Sequence, residues 1–221
     1  MDQASGKLTE AGSLVDRLVV RLRDAILAGE YPPGHHIRIK PLADKYGVSM
    51  IPVREALARL LASRLVRVEA NRGYFVAGKP SAAEFAQFVQ FREMFELSAV
   101  ALGFDNATKG DIAALRRLNR QMARIANRTK PDTKVKWGRL NGEFHLVLVG
   151  LAHNEFITEQ YRTLSFDHMH FQLARAAEIE FTSLPLLVEQ HNGLIAALEE
   201  QNKPLFQERL RQHINNLNLP V

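Results

Sequence analysis

Residues 42–60 read LADKYGVSMIPVREALARL, and this stretch decides the fold of the first third of the chain. A short helical segment ends at Gly47, and a second helix begins after Ser49, with Val53 and Leu57 among its apolar positions. Because the joint between the two helices is so short, the second helix must leave at a steep angle to the first. The stretch therefore predicts a helix-turn-helix, whose second helix enters the major groove of DNA.

The segments on either side complete a winged helix-turn-helix. Upstream, Ser13 caps a predicted helix whose apolar residues recur every four positions until the helix ends at Gly29. The middle helix is expected over residues 41–46, with a proline in its first turn. Downstream, the β-branched runs 65–68 and 74–76 are joined by a connection rich in Asn and Gly, as in a β-hairpin. Three helices followed by a small β-hairpin are the elements of this DNA-binding fold.

The rest of the chain carries only helical signals. Helical periodicity runs through six segments, at residues 81–104, 109–128, 132–150, 154–178, 183–201 and 204–218. Six helices with short connections predict an antiparallel all-α bundle. A linker is expected at residues 78–81. The chain is thus predicted to be mainly α, with domains at residues 1–78 and 79–221.

Charge and composition favour a cytoplasmic DNA-binding protein. Residues 1–80 hold 13 Lys and Arg against eight Asp and Glu, whereas residues 81–221 hold 16 of each. The excess positive charge therefore lies with the predicted DNA-binding domain, where counterion release favours phosphate binding. The absence of cysteine excludes disulfides and thiolate metal sites. No apolar run is long enough to span a bilayer or to form a signal-peptide core, so no membrane partner is expected.

The residues expected at the DNA surface lie in three places. The start of the second helix would face base edges, the start of the preceding helix would face the backbone, and the wing tip would approach the minor groove. Arg54 has the reach and the forked donors for a guanine or a phosphate, unless it merely pairs with Glu55 or Asp44. The predicted DNA-binding residues are Lys40, Ser49, Met50, Ile51, Pro52, Arg54, Arg72 and Gly73.

Histidines on three predicted C-terminal helices are compatible with a metal site. His145 shares a helix face with Asn141, one turn earlier, while His191 and His213 lie among apolar residues of two later helices. Three imidazoles and one oxygen ligand suit zinc, nickel, iron or manganese. A single histidine of this kind is more often an ordinary buried or surface residue. Spacing alone does not establish that three separate helices bring their histidines together.

The N-terminal sequence is similar to that of the GntR family of bacterial repressors. The similarity covers residues 14–77 and is carried by LRDAILAGEYPPG at residues 22–34 and by the stretch 42–60. It implies that Arg54 and its neighbours read the operator. Met50 departs from the family pattern, which usually has a base-reading arginine at this position. The family's usual operator half-site therefore does not carry over, and Met50 is left as a candidate for contact with a thymine methyl group.

Residues 81–218 resemble the FCD ligand-binding domain that many of these regulators carry. The resemblance is carried by REMFE at residues 92–96, by NGEFH at residues 141–145, and by His191 and His213. It implies that Asn141, His145, His191 and His213 bind a divalent metal ion, with zinc as the first candidate and nickel, manganese or iron as alternatives. Asn rather than Asp at position 141 removes one negative charge from this ligand set.

The same resemblance implies a small organic acid as effector. A carboxylate needs a cationic partner in its pocket, and the candidates for effector binding are Arg92 and Arg162. For Arg92 the alternative is an ion pair with Glu96, four residues later on the same helix, which would contribute roughly a few tenths of a kcal/mol.

These features predict a homodimeric transcription regulator, by default a repressor, that binds double-stranded operator DNA and responds to a ligand in its metal-containing helical domain. One alternative is a metal that is purely structural or is itself the signal, without an organic-acid effector. A metalloenzyme is not expected, because it needs a positioned general base. Glu143, two residues before His145, should face another side of the helix.

Overall fold

The computed structural model describes residues 13–78, 81–127, 131–164 and 183–215. Two compact units, Met1–Gly78 and Lys79–Val221, divide the chain, and each has its own hydrophobic core. Among the described residues, no helix is both long and apolar enough to span a bilayer.

The first unit is a winged helix-turn-helix. Its elements are α1 (Leu14–Ala28), β1 (His36–Ile37), α2 (Ile39–Tyr46), α3 (Met50–Ala62), β2 (Val66–Glu69) and β3 (Gly73–Val76). The three strands form an antiparallel sheet in the order β1-β3-β2. β1 was not predicted, because a two-residue strand has no periodicity and exists only by pairing with β3. α2 also begins two residues earlier than expected.

Local signals in the sequence account for the helix boundaries of this unit. Ser13 and Asp16 form a capping box at the start of α1, each accepting a backbone N–H of the other. Gly29 and Gly47 end α1 and α2 in the left-handed conformation, with φ of 84° and 66°. Ser49 is the N-cap of α3, as predicted, although its side chain makes no capping hydrogen bond. The tight joint between α2 and α3 is therefore the result of a glycine stop followed at once by a helix start.

The described residues of the second unit form helices joined by short connections. Its elements are α4 (Ala82–Gly103), a 3-10 turn (Phe104–Asn106), α5 (Lys109–Ala126), α6 (Pro131–Gly150), α7 (Glu155–Leu164), α8 (Ser183–Glu199) and α9 (Lys203–Asn215). α5 packs against α6 and α8, while α4 packs against α6 and α9. Ser81, expected in a linker, instead caps α4 in a capping box with Glu84. The parts of two predicted helices beyond Leu164 and Asn215 lie outside the described residues. The predicted fold class, mainly α with a small β-hairpin, is confirmed.

Candidate metal centre and DNA-binding surface

Three buried histidines meet inside the second unit. His145 comes from α6, His191 from α8 and His213 from α9, and none is more than 1% exposed. One potential ligand atom from each lies within 4.8 Å of the others. The structure therefore supplies the convergence that spacing along three helices could not establish.

Each of these imidazoles has an oxygen atom next to its Nδ1. The pairs are His145 with Glu96 at 2.8 Å, His191 with Asn119 at 3.2 Å, and His213 with Gln190 at 2.8 Å. An oxygen acceptor holds the ring proton on Nδ1, so that the lone pair is left on Nε2. This is the tautomer in which a histidine binds a metal through Nε2.

Asn119 shows how firmly one of these tautomers is set. Its amide nitrogen donates to the backbone carbonyl of Val188 at 3.0 Å and to Oδ1 of Asn192 at 2.7 Å. With the amide nitrogen so engaged, the oxygen must face His191 Nδ1. The neighbouring helices therefore orient His191 before any ligand arrives.

The arrangement of the donor atoms fits a divalent cation. His145 Nε2 and His213 Nε2 lie 3.1 Å apart. With both rings protonated on Nδ1, two lone pairs face each other, and a shared cation would relieve their repulsion.

Asn141, one turn before His145 on α6, is 2% exposed, and its Oδ1 has no hydrogen-bond partner among the described residues. A buried oxygen of this kind costs about 1–3 kcal/mol unless it is satisfied, and a metal ion would satisfy it. Three imidazole nitrogens and one amide oxygen suit zinc and the other candidate metals.

Arg92 lies against the same cluster. Its guanidinium donates from Nε to Glu96 Oε1 at 2.6 Å, and its Nη2 lies 3.0 Å from His145 Nε2. Arg92 is 2% exposed. The intrahelical ion pair weighed against an effector-binding role is therefore present, and the same side chain also reaches His145.

Glu96 connects Arg92 to the histidine cluster. Its carboxylate accepts hydrogen bonds from Arg92, from His145 Nδ1 and, at 2.9 Å, from the Tyr161 hydroxyl. Burial alone would raise the pKa of Glu96, but the Arg92 guanidinium and then His145 outweigh it and hold that pKa well below its usual range. Glu96 is therefore an anion that compensates the positive charge of Arg92 and orients His145.

The remaining residues are one that the sequence predicted to bind the effector and several around the histidine cluster that it did not identify. Arg162, on α7, is half exposed and pairs with Glu159 within the described part of the chain, so its role in effector binding stays a prediction. The sequence pointed to Glu96 only as a partner of Arg92, and it did not point to Tyr161. It also did not identify Asn119 and Gln190, since polar residues on other helices become partners of a histidine only through packing.

The start of α3 presents a mixed surface to solvent. Met50 and Ile51 are 42% and 66% exposed, and Ser49 and Arg54 are also exposed, while Pro52 is half-buried. Apolar side chains exposed beside polar ones can contact both thymine methyl groups and the polar edges of bases. This surface matches the residues predicted to face base edges.

Two further predicted contacts lie around α3. Lys40, on α2, pairs with Asp44 at 2.8 Å, so one of the acids considered as a partner for Arg54 is engaged by Lys40. Arg72 lies in the β2–β3 turn, where Asn71 and Gly73 adopt positive φ, and its side chain is 68% exposed. Both cations are accessible from solvent.

These features define a class of protein: a DNA-binding transcription regulator with a separate helical unit. Comparison with known families makes the assignment specific. Residues 14–76 match the family of bacterial regulatory proteins named gntR, and residues 87–216 match the FCD domain. The chain belongs to the GntR family of bacterial regulators and to its FCD branch. It is therefore a transcription regulator rather than an enzyme.

Individual relatives agree with this assignment. The Nta operon transcriptional regulator of Aminobacter aminovorans is 31% identical over 173 residues, which is 78% of each chain. The HTH-type transcriptional repressor GlaR of Escherichia coli strain K12 is 28% identical over 200 residues, 87% of this chain and 89% of the relative. The solved structure of E. coli McbR/YncC has a TM-score of 0.75 at 24% identity, over 93% of this chain and 95% of the other, and shows the shared fold.

Proposed function

We propose that this protein is a repressor whose operator affinity is controlled by a small organic acid, bound beside a divalent metal in the helical unit. The observation that carries the proposal is the convergence of three buried imidazoles, with their Nδ1 atoms held by oxygen acceptors, next to a buried guanidinium. Residues 1–78 would bind operator DNA in the cytoplasm, and residues 79–221 would sense the ligand. A relative that is named a repressor supports the direction of control.

The proposed sensor site combines a cation with a hydrogen-bond donor. Asn141, His145, His191 and His213 would hold the metal, with zinc as the first candidate. A divalent cation in such a site supplies a Lewis-acid position for an oxygen ligand. Arg92 would donate N–H bonds to the second oxygen of a carboxylate, for which a guanidinium is the best-matched side chain. Arg162 remains a weaker candidate for the same ligand.

We infer a homodimer from the exposed face of α4. Phe91, Met94 and Leu102 are 38%, 60% and 66% exposed and follow one helical stripe. Apolar side chains arranged in a stripe are typical of a surface that a partner covers. A second copy of the chain would cover it and would also provide the second winged helix for a pseudo-palindromic operator.

Thermal denaturation of the purified chain tests the sensor. After treatment with a chelator, we expect zinc to raise the melting temperature, and we expect a subset of small carboxylic acids to raise it further only when zinc is present. The reason is that ligands which bind only the folded state stabilise it by mass action. An acid that acts equally on the stripped and the zinc-loaded protein would contradict a shared site.

One observation favours a second candidate function. Arg92 already forms a buried ion pair with Glu96, which engages part of the guanidinium that a carboxylate would use. In this alternative the metal is structural or is itself the signal. A melting temperature that rises with metal, and that no acid raises further, would support this alternative instead.

Substitution of Arg54 tests the DNA-binding surface. Arg54→Ala is expected to weaken operator binding by roughly 5- to 150-fold for each winged helix, because one bidentate base contact contributes about 1–3 kcal/mol of discrimination. The operator can be obtained by selection from random duplexes, and affinity measured by fluorescence anisotropy. Arg64→Ala, at the other end of α3, is the matched control and should bind as the unmodified chain does. Equal operator affinity for the two variants would mean that the reading helix is misassigned.

A further inference from the structure

Two arginines of the wing share a single carboxylate. Arg67, on β2, donates from Nη1 to Oε1 of Glu69, and Arg72, in the turn, donates from Nη1 to Oε2 of the same residue. Arg72 was predicted from the sequence to contact DNA, but Arg67 was not. The two guanidinium groups are therefore held as a pair.

An aromatic ring also positions this arginine pair. The guanidinium carbons of Arg67 and Arg72 each lie 5.1 Å from the ring centroid of Phe75, on β3. His36, on β1, stacks on that ring at 4.6 Å, and the ring is 6% exposed. Two like charges are kept close because one carboxylate accepts a hydrogen bond from each of them and one buried ring packs against both.

We propose that Arg67 and Arg72 form one binding site for a phosphate of the DNA backbone, and that the Glu69 carboxylate occupies the phosphate position in the protein without DNA. Carboxylates and phosphates accept the same parallel N–H bonds from guanidinium groups. The Glu69 side chain is 24% exposed, whereas those of Arg67 and Arg72 are 49% and 68% exposed, so the cations extend further into solvent than the anion.

Because the ion pairs of Glu69 with Arg67 and Arg72 are exposed to solvent, a phosphate can replace the carboxylate at little cost. Ion pairs between exposed side chains contribute little to stability, because water screens them and their side chains lose entropy. A DNA phosphate at the wing brings the additional gain of counterion release. The inference rests on the proposed DNA contact of the wing, but it is independent of the metal, of the effector and of the operator sequence.

Binding of the full-length chain to a duplex of unrelated sequence, measured over a range of salt concentrations, tests this site. Arg67→Gln and Arg72→Gln should each lower affinity severalfold and reduce the slope of log affinity against log salt by about one for each wing. Glu69→Gln should raise affinity at least about threefold, since no carboxylate then competes with phosphate. The matched control is Arg64→Gln, which loses the same charge in the turn before β2.

The outcomes separate the wing site from the proposed function. If Arg67→Gln and Arg64→Gln show the same affinity and slope, the arginine pair binds no phosphate. If Glu69→Gln binds more weakly than the unmodified chain, Glu69 supports the bound state and does not hold the place of a phosphate. If the unmodified chain binds no duplex at all, the proposed function itself fails. Because all of these side chains are at least partly exposed, circular dichroism should show the same fold in every variant.

Discussion

Replacement of His191 with alanine is expected to lower the affinity for zinc by about 100-fold or more. The binding free energy of zinc held by four protein ligands in small structural sites is about 10–16 kcal/mol. The loss of one ligand therefore removes roughly a quarter of this binding free energy, or about 3 kcal/mol. Asn119 orients His191 so that Nε2 is left for a ligand, and no other described histidine is positioned to replace it in the cluster. Competition with a chromophoric chelator measures the change.

The same variant distinguishes a sensor from a structural metal site. We expect the metal-free form of His191→Ala to keep its fold, although it should melt below the metal-free unmodified chain, while any response to an organic acid disappears. His191 stacks on Phe144 at a centroid distance of 4.1 Å, so alanine also leaves a cavity. His191→Gln, which fills more of that space, provides a second variant. Collapse of the fold in both would mean that the metal is structural.

Two further variants test whether the zinc ligands are assigned correctly. His153→Asn removes an exposed histidine of the same unit, and asparagine tolerates the positive φ of 48° at this position. Its zinc affinity should not change.

Asn141→Asp should bind zinc about tenfold more tightly, because a carboxylate restores a negative charge to the ligand set. Unchanged zinc affinity in both Asn141→Asp and His191→Ala would place the metal elsewhere in the chain.

Gly103→Ala is expected to destabilise the helical unit by at least about 3 kcal/mol, at the upper end of the usual effect of overpacking. Gly103 is the last residue of α4 and is buried. A Cβ atom there would lie 1.9 Å from the carbonyl oxygen of Leu151 and 2.3 Å from the backbone nitrogen of Ala152. These are backbone atoms, so no side-chain rotation relieves the clash, and the end of α4 must separate from the residues that follow α6.

Urea unfolding, followed by circular dichroism, measures this effect, and the chain contains a matched control. Gly193 lies inside α8, where an added Cβ would come no closer than 3.5 Å to Arg209. Gly193→Ala should therefore stabilise the unit by up to about 1 kcal/mol through helix propensity. A midpoint for Gly103→Ala equal to that of the unmodified chain would show that α4 and the residues after α6 are not in contact.

The winged helix was predictable from the sequence because its signals are local. The stop at Gly47 and the start at Ser49 lie two residues apart, and the periodic apolar residues of α1 and α3 identify their buried faces. Met50, Ile51 and Arg54 are exposed at the start of α3, where the sequence placed them. The helices of the second unit were likewise found from their periodicity and their breaks. β1 escaped prediction because its only basis is pairing with β3.

What the sequence determined by itself was therefore the helices of the described residues, the buried faces of α1 and α3, and the type of residue that each helix carries. The tertiary structure decided which of those residues meet. His145, His191 and His213 lie on three helices, and no spacing along the chain encodes the distance between their nitrogens. Their tautomers depend on Glu96, Asn119 and Gln190, and the wing arginines depend on Glu69 and Phe75. The physical reason is that capping and periodicity act over a few residues of one segment, whereas contacts between side chains of different segments form only when the packing of the whole core brings them together.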